Sequence, residues 1–442
     1  MKLKTETENG FKQTEIGSIP EDWETAKINE AYSFTKKPPR IDLSKYKRIP
    51  FIPMEFVPDD GKDLNRYEFR EKVSSGTFVC KGDLIVAKIT PSFENGKQAI
   101  VRDIPFDFVY ATTEVWPIHE IEGQSDIDYL FYYLKKPDVR NDVAGKMEGS
   151  TGRQRVPKNV LENLTIPFPT LKEQQKIASV LSNIQQAIEQ QEKIIAKTKE
   201  LKRSLMHRLF TYGLRGEELK ETEIGLVPES WNLVSIGELI ANKVLFIQNG
   251  FPCGKWNDKG IGILQLRPFN ISDEGYINLN TVKHIQTDKK IDSYLLRNED
   301  VIFNNTNSEE LVGKTALWQA EKEAVLSNHM TIIRILKKDK LVPLYLARLL
   351  HKKWFDKYFR SICQRHVNQA SVGVERIKRV RLGLPSIAEQ KEIASVFYQL
   401  DQKICNENIK KMNLGSFFKS MLQLLMTGRV RVKDIDFGEA CE

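Results

Sequence analysis

Cysteine is scarce. The 442 residues hold five, Cys80, Cys253, Cys363, Cys405 and Cys441, an odd number with no Cys-x-x-Cys pair. Neither a disulfide framework nor a cysteine zinc site is expected, and the cytosol is the expected compartment. There is no apolar run of about 18 residues, the length that crosses a bilayer. The opening Met1–Gly10 is charged and polar with no apolar stretch behind it. Neither a membrane span nor a secreted precursor is therefore expected. The six histidines (His119, His207, His284, His329, His351, His366) show no ligand spacing, so no metal site is expected.

Catalytic motifs are missing too. A phosphate-cradling loop needs Gly-x-x-x-x-Gly-Lys-Ser/Thr; the nearest match, Gly313-Lys314-Thr315, has Ser308 where the first glycine belongs. An amino-methyltransferase needs a Pro-Pro-aromatic element, and the one Pro-Pro here is Lys37-Pro38-Pro39-Arg40. No Gly-x-Ser-x-Gly elbow is present. The Glu-x-Lys of nuclease sites occurs at Glu200-Leu201-Lys202 and Glu389-Gln390-Lys391, but inside predicted long helices, where it reads as surface charge.

What the chain does have is 40% hydrophobic residues, enough for packed cores, and a length that suggests two or three domains at roughly 100 to 200 residues each. The net charge of +8 permits a polyanionic partner without requiring one. Five of those charges fall in two polar helical segments, so a nucleic-acid surface on the globular portions must come from uneven placement of charge.

The chain is also a tandem repeat. Thr14-Glu-Ile-Gly17 with Ile19-Pro20-Glu21-Asp22-Trp23 returns as Thr222-Glu-Ile-Gly225 with Val227-Pro228-Glu229-Ser230-Trp231, an offset of 208. Further on, Pro169, Glu173, Gln174, Ile177, Ala178, Ser179 and Val180 return as Pro385, Glu389, Gln390, Ile393, Ala394, Ser395 and Val396, an offset of 216. The second copy thus carries eight more residues in between, expected in loops.

Each copy closes on a helix signal. Thr170-x-x-Glu173 and Ser386-x-x-Glu389 are capping boxes behind a proline, with the glutamate expected to reach back to the cap. Apolar residues then recur by threes and fours: Ile177, Leu181, Ile184, Ile188 and Ile195, and in the second copy Ile393, Phe397, Leu400 and Ile404. Gly415 is expected to loosen or bend the second helix. A long helix with one narrow apolar stripe needs a partner, and the other copy's helix is the obvious one; the alternative is that each packs on its own domain. Ahead of the helices, strands are expected in Arg48–Val57, Tyr67–Cys80, Asp83–Thr90 and Phe106–Ile118, then at Ile261–Ile271, Asp300–Asn304 and Ala324–Leu336. Short helices are expected near Asp126–Lys135 and Val342–Phe359. The copies agree at the helices and differ in the globular portions.

The Glu-Ile-Gly-x-Ile/Val-Pro-Glu-x-Trp opening and the Pro-x-x-x-Glu-Gln-x-x-Ile-Ala helix start, both repeated, resemble the specificity subunits of type I restriction-modification enzymes over nearly the whole chain. The resemblance implies a mixed α+β chain of two tandem α/β target recognition domains, each followed by a long helix, the helices pairing as an antiparallel coiled coil. The implied boundaries are recognition domain 1 at 1–169, a central spacer helix at 170–212, recognition domain 2 at 213–385, a second spacer helix at 386–428 and a tail at 429–442. It also implies a non-catalytic, cytoplasmic subunit that binds double-stranded DNA and no membrane. Two methyltransferase subunits and two restriction/translocase subunits would be recruited, with S-adenosylmethionine, ATP and Mg2+ bound in those partners and no cofactor in this chain. Independently of the family, two unlike modules on a fixed spacer suit an asymmetric bipartite target, since both can engage only half-sites at a compatible separation.

For DNA contact the leading candidates are Arg153, Gln154 and Arg155 in the loop Gly149-Ser-Thr-Gly-Arg-Gln-Arg155. Small residues there let the backbone approach a phosphate, while Arg and Gln can address guanine and adenine edges. In the second copy the same register falls on Arg365, Asn368 and Gln369, in a loop without the glycines. Polar residues after strand ends complete the set: Lys88, Thr90 and Lys97, then Arg267, Asn304, Asn305 and Lys314. The competing readings are a self-contained DNA-modifying or cutting enzyme and a helical scaffold without DNA binding.

Overall fold

The computed structural model describes residues 10–39, 41, 46–252 and 255–432; Cys253 and Cys441 lie outside them. The chain divides into two compact units, residues 1–190 with 410–442, and residues 191–409. Each unit therefore holds one globular lobe and one end of both long helices.

The first unit opens with the hairpin Phe11–Thr14 and Gly17–Pro20. The repeated Thr-Glu-Ile-Gly is its turn: Gly17 takes a φ of +102°, open to glycine alone at low cost, and Thr14 Oγ1 donates to the Gly17 carbonyl at 2.7 Å. Trp23, which closes the motif, is buried. Two four-stranded sheets follow. One runs Glu68–Arg70, Ile49–Ile52, Phe108–Ala111, Thr77–Cys80; the other runs Tyr32–Phe34, Val115–Glu120, Leu84–Ala87, Gln98–Ile100. Phe108–Ala111 and Ile49–Ile52 are parallel, and every other ladder in these sheets is antiparallel. Ile52, Val79, Ile85, Ala99, Val109 and Val115 form a core drawn from both sheets. Helix Ile127–Leu134 starts where Asp126 accepts the Tyr129 N–H at 2.8 Å.

The second unit repeats the plan with its own details. Its hairpin, Leu219–Thr222 with Gly225–Pro228, has the same threonine bond, Thr222 Oγ1 to the Gly225 carbonyl at 2.6 Å. The sheet Leu245–Asn249, Met330–Ile335, Val301–Asn304, Thr315–Leu317 is antiparallel throughout, like the second sheet of the first unit. A three-stranded sheet, Lys283–Ile285, Ile263–Leu266, Ala324–Leu326, stands in place of the other. Each expected stretch holds at least one strand, broken by turns, but Tyr32–Phe34, Gln98–Ile100, Leu245–Asn249, Lys283–Ile285 and Thr315–Leu317 are strands outside those stretches. The extra length is not confined to loops, because helix Ile236–Ala241 has six residues against four in Ile28–Ala31.

The central helix spans Leu171–Tyr212 and the C-terminal helix Ile387–Met426. In the first unit Ile177, Ala178 and Leu181 share a core with Leu422, Leu425 and Met426. In the second, Met206, Leu209 and Phe210 share one with Ile393, Ala394 and Phe397, the Phe210 and Phe397 rings stacking at 5.5 Å. The start of one helix meets the end of the other in both units, so the pairing is antiparallel. It is not dry helix-on-helix packing alone, since the same clusters include lobe residues such as Leu130, Ile166, Tyr345 and Leu382.

Two local expectations change. The helix is continuous through Gly415, whose surroundings are open. The glutamates of the capping boxes face away from the cap. Glu173 accepts Trp23 Nε1 at 3.0 Å and Arg431 Nε at 2.8 Å, while Glu389 accepts the Leu214 N–H at 2.9 Å. Both are buried, and a buried carboxylate is stabilised more by charge-assisted partners there than by one strained reach to its own cap. The Ser386 hydroxyl does accept from the Glu389 N–H, at 3.3 Å.

Candidate nucleic-acid interface

In the first lobe, strand Leu84–Ala87 runs out into Lys88–Thr90, and the 149–155 loop is stitched to that strand end. Val156 N–H donates to the Lys88 carbonyl at 2.7 Å and Thr90 N–H to the Gln154 carbonyl at 3.0 Å. Glu148 and Arg155 exchange backbone bonds of 2.9 and 2.8 Å, closing the loop at its base. Gly149 has a φ of +126°, and a Cβ there would lie 2.8 Å from the Arg153 carbonyl oxygen. That glycine is demanded by the loop's own turn.

Lys88, Thr90, Arg153, Gln154 and Arg155 are thus brought together, on unequal terms. Arg153 is exposed and makes no ion pair among the described residues, and Gln154 is half-buried beside it. Arg155 forms a two-pronged bond to Glu114, at 2.8 and 2.9 Å, which holds the Glu114 carboxyl below its usual range. Lys88 Nζ lies 3.9 Å from the Trp116 ring centroid, and burial lowers its pKa. Thr90 Oγ1 donates to Glu94 at 2.8 Å. Lys97 stands apart, its Nζ bound to the Met54 and Val57 carbonyls at 3.3 and 3.1 Å.

The second lobe repeats the backbone arrangement. Gln364–Arg365, Ala370–Ser371 and Thr306–Asn307 form a small sheet, and Val372 N–H donates to the Asn305 carbonyl at 2.8 Å, as Val156 does to Lys88. Ser371 pairs with both Gln364 and Thr306, as Arg155 pairs with both Glu148 and Ile89. The 216 offset read from sequence is therefore kept on the loop side of these bonds, while the strand end, Lys88 and Ile89 against Asn305 and Thr306, matches one residue further on. The tip is wholly open, with Val367 99% exposed and Asn368 and Gln369 exposed beside it. Arg365 pairs with Glu309 at 3.0 Å.

Of the remaining candidates of this lobe, Asn305 lies at the strand end beneath the loop but turns its side chain inward, and the others lie elsewhere. Asn304 and Asn305 are buried: Asn304 Nδ2 donates to the Leu311 carbonyl and Asn305 Nδ2 to Thr331 Oγ1, at 2.9 and 2.8 Å. Strand Val301–Asn304 is covered on both faces, so a polar residue at its end turns inward. Lys314 is buried, paired with Asp273 and 5.2 Å from the Trp354 ring. Arg267 donates to Gln265 at 3.1 Å and lies 5.1 Å from the Trp256 ring. Sequence reasoning missed Trp256, half-exposed with Lys283 Nζ 3.8 Å from its ring. A tryptophan between Lys255 and Asn257-Asp258-Lys259 was the available signal, since exposed aromatics with cations suit base or phosphate contact.

No three His, Cys, Asp or Glu side chains among the described residues converge on a metal-sized site, and no described helix is long and apolar enough to cross a membrane.

Comparison with known proteins agrees with this duplicated plan. The family model described as the type I restriction modification DNA specificity domain matches twice, over residues 20–200 and 228–414. The specificity subunit of the type I restriction enzyme MjaVIII of Methanocaldococcus jannaschii is 25% identical over 97% of this chain and 98% of its own length. That of EcoAI from Escherichia coli is 30% identical over 50% of this chain and 35% of its own. Among solved structures, the type I restriction-modification S subunit from M. genitalium shares the fold at a TM-score of 0.54 and 14% identity, covering 91% of this chain and 96% of that one. A chain from a structural study of type I R-M complex assembly and conformational transition reaches 0.58 at 16% identity, covering 93% and 99%. The chain belongs to the type I restriction-modification specificity family.

Proposed function

We propose that, as a member of that family, this chain is the non-catalytic DNA-reading subunit of a cytoplasmic type I restriction-modification assembly. Each lobe reads one half of an asymmetric bipartite target. The chain recruits two methyltransferase and two restriction/translocase subunits, and the chemistry that uses S-adenosylmethionine, ATP and Mg2+ takes place in those partners. The observation that carries this reading is the pair of loops at 149–155 and 365–371. They hang from their strand ends by the same backbone bonds and present different side chains. One frame with two unlike reading surfaces is what an asymmetric target requires, because base edges are distinguished by side-chain donors and acceptors while the backbone sets position. Arg153 and Gln154 are the foremost readers of the first lobe, and Asn368 and Gln369 those of the second.

The test is to co-express the chain with a methyltransferase subunit encoded beside it and map methylated adenines across the host genome. The expected outcome is one bipartite motif. Arg153→Ala or Gln154→Ala should relax one half-site and leave the other intact, with roughly 1–3 kcal/mol of discrimination lost at the affected base. A stable complex that methylates no defined motif would favour a scaffold. Cutting or methylation by the purified chain alone would favour a self-contained enzyme.

A further inference from the structure

In the second unit, side chains from three helices converge on one four-residue turn, Asp273-Glu274-Gly275-Tyr276. Asp401 of the C-terminal helix accepts Tyr276 Oη at 2.6 Å and Lys202 Nζ at 2.8 Å, and also pairs with Arg348. Lys202 of the central helix donates to the Glu274 carbonyl at 3.1 Å and to Tyr276 Oη at 2.8 Å. From helix Pro343–Phe355, Arg348 Nη1 donates to the Gly275 carbonyl at 2.8 Å, and His351 Nε2 lies 3.0 Å from the Asp273 carbonyl oxygen. Lys202, Arg348 and His351 are all buried. Gly275 has a φ of +77°, and a Cβ there would lie 2.8 Å from Arg348 Nη1, so the turn and the cluster are shaped to each other.

The first unit grips a turn from the same frame positions with other chemistry. At an offset of 216, Arg348, His351 and Asp401 correspond to Tyr132, Lys135 and Gln185. Gln185 Nε2 and Lys135 Nζ both donate to the Asp60 carbonyl, at 2.8 and 2.9 Å. Lys62 and Tyr132 meet at Ser182, at 2.9 and 3.1 Å. In both units the gripped turn joins strands of the lobe's outlying sheet: Ile49–Ile52 to Glu68–Arg70, and Ile263–Leu266 to Lys283–Ile285.

Buried ion networks stabilise poorly compared with apolar packing of the same volume, but they are directional. Apolar faces tolerate sliding, whereas bonds to carbonyls and a hydroxyl from three helices admit one seating. We propose that Lys202, Arg348, Asp401 and the 273–276 turn form a positioning site that fixes the second lobe on its helix pair and so sets the half-site separation the subunit accepts. This rests on the DNA-reading function proposed above.

The test uses the co-expressed chain and methyltransferase subunit. Plasmids carry the genomic motif at its native spacing and with one base pair removed or added, and methylation is read for each. The triple variant Lys202→Met, Arg348→Met, Asp401→Leu removes the ionic network without stranding a charge. It should raise the ratio of off-spacing to native-spacing methylation by about fivefold or more, equivalent to roughly 1 kcal/mol. Arg153→Ala should leave that ratio unchanged. If the triple variant does not accumulate, Tyr276→Phe, which loses one hydroxyl, should raise the same ratio in a smaller degree. An unchanged ratio in whichever variant folds overturns the positioning role, since a merely structural defect lowers methylation at every spacing alike. If the unsubstituted complex has no bipartite motif, the DNA-reading function itself fails.

Discussion

At the scale of single residues, the repeat uses one pair of amino acids in two ways. Trp23 Nε1 donates to Glu173, and Arg431 brings a two-pronged bond from Nε and Nη2 to the same carboxylate while also binding Asp22. The corresponding Trp231 is equally buried, yet its Nε1 has no partner among the described residues, because Glu389 is turned to the Leu214 N–H and to Arg215 at 3.7 Å. Tryptophan-to-phenylalanine changes remove similar ring area at both sites, so their difference isolates one bond to a charged acceptor. Trp23→Phe is expected to cost more stability than Trp231→Phe by roughly 1.5–3 kcal/mol. Urea denaturation of the two variants checks it, and equal losses would show that the Trp23 bond contributes nothing net. Both tryptophans were visible in the sequence as repeat markers, but the choice of acceptor was not, since it depends on chain ends far apart in sequence.

At the scale of elements, helix starts and stops carry opposite sensitivities. Asp126 caps helix Ile127–Leu134, and burial, reinforced by the neighbouring Asp128 and Glu120 charges, raises its pKa to about 6. A folded-state value above the unfolded one means that the native form binds the extra proton. Stability from this group is therefore present at low pH and lost as pH rises from about 4 through about 6. Asp126→Asn keeps an acceptor for the Tyr129 N–H and should raise stability at pH 8 by up to roughly 3 kcal/mol, the gain shrinking as pH is lowered to 5. Denaturation of both proteins across that range would show a constant difference if the cap were not titrating. Glycine acts at the other ends. Gly428 follows the C-terminal helix with a φ of +67°, and a Cβ there would come 2.3 Å from Pro20 Cγ, whereas Gly415 sits in uninterrupted helix with open space around it. Gly428→Ala should destabilise by at least about 1 kcal/mol, and Gly415→Ala should stabilise by about 0.5–1 kcal/mol, both visible as opposite shifts in thermal unfolding.

At the scale of the whole molecule, the chain carries only +8, and many of its cations are already committed to carboxylates, as Arg155 is to Glu114 and Arg365 to Glu309. DNA affinity should then depend less steeply on salt than the count of basic residues suggests. Arg153 is the informative cation, exposed and without an ion pair among the described residues. If it meets a phosphate, Arg153→Ala in the methyltransferase complex should lower the slope of log affinity against log salt by about one and weaken all sequences alike. If it meets a base, the slope holds and one position of the half-site relaxes, the outcome expected here. Binding titrations at several salt concentrations separate the two.

The sequence by itself determined the duplication, both long helices and their ends, and the absence of familiar catalytic motifs. These are set by local rules: a proline and a hydroxyl at the start, apolar residues by threes and fours, and a glycine at the stop. Strands were legible in part, as regions and not as a topology, because segments of three to six residues, several buried on both faces, carry no alternation that marks them out or says which neighbour they pair with. Only the tertiary structure decided which polar residues remain available. It stitched the 149–155 and 365–371 loops to equivalent strand ends, took Asn304, Asn305 and Lys314 inside, and spent Lys97 on backbone carbonyls. The physical reason is that a polar side chain at a strand end is exposed or buried according to what packs over it, and that covering comes from segments distant in the chain.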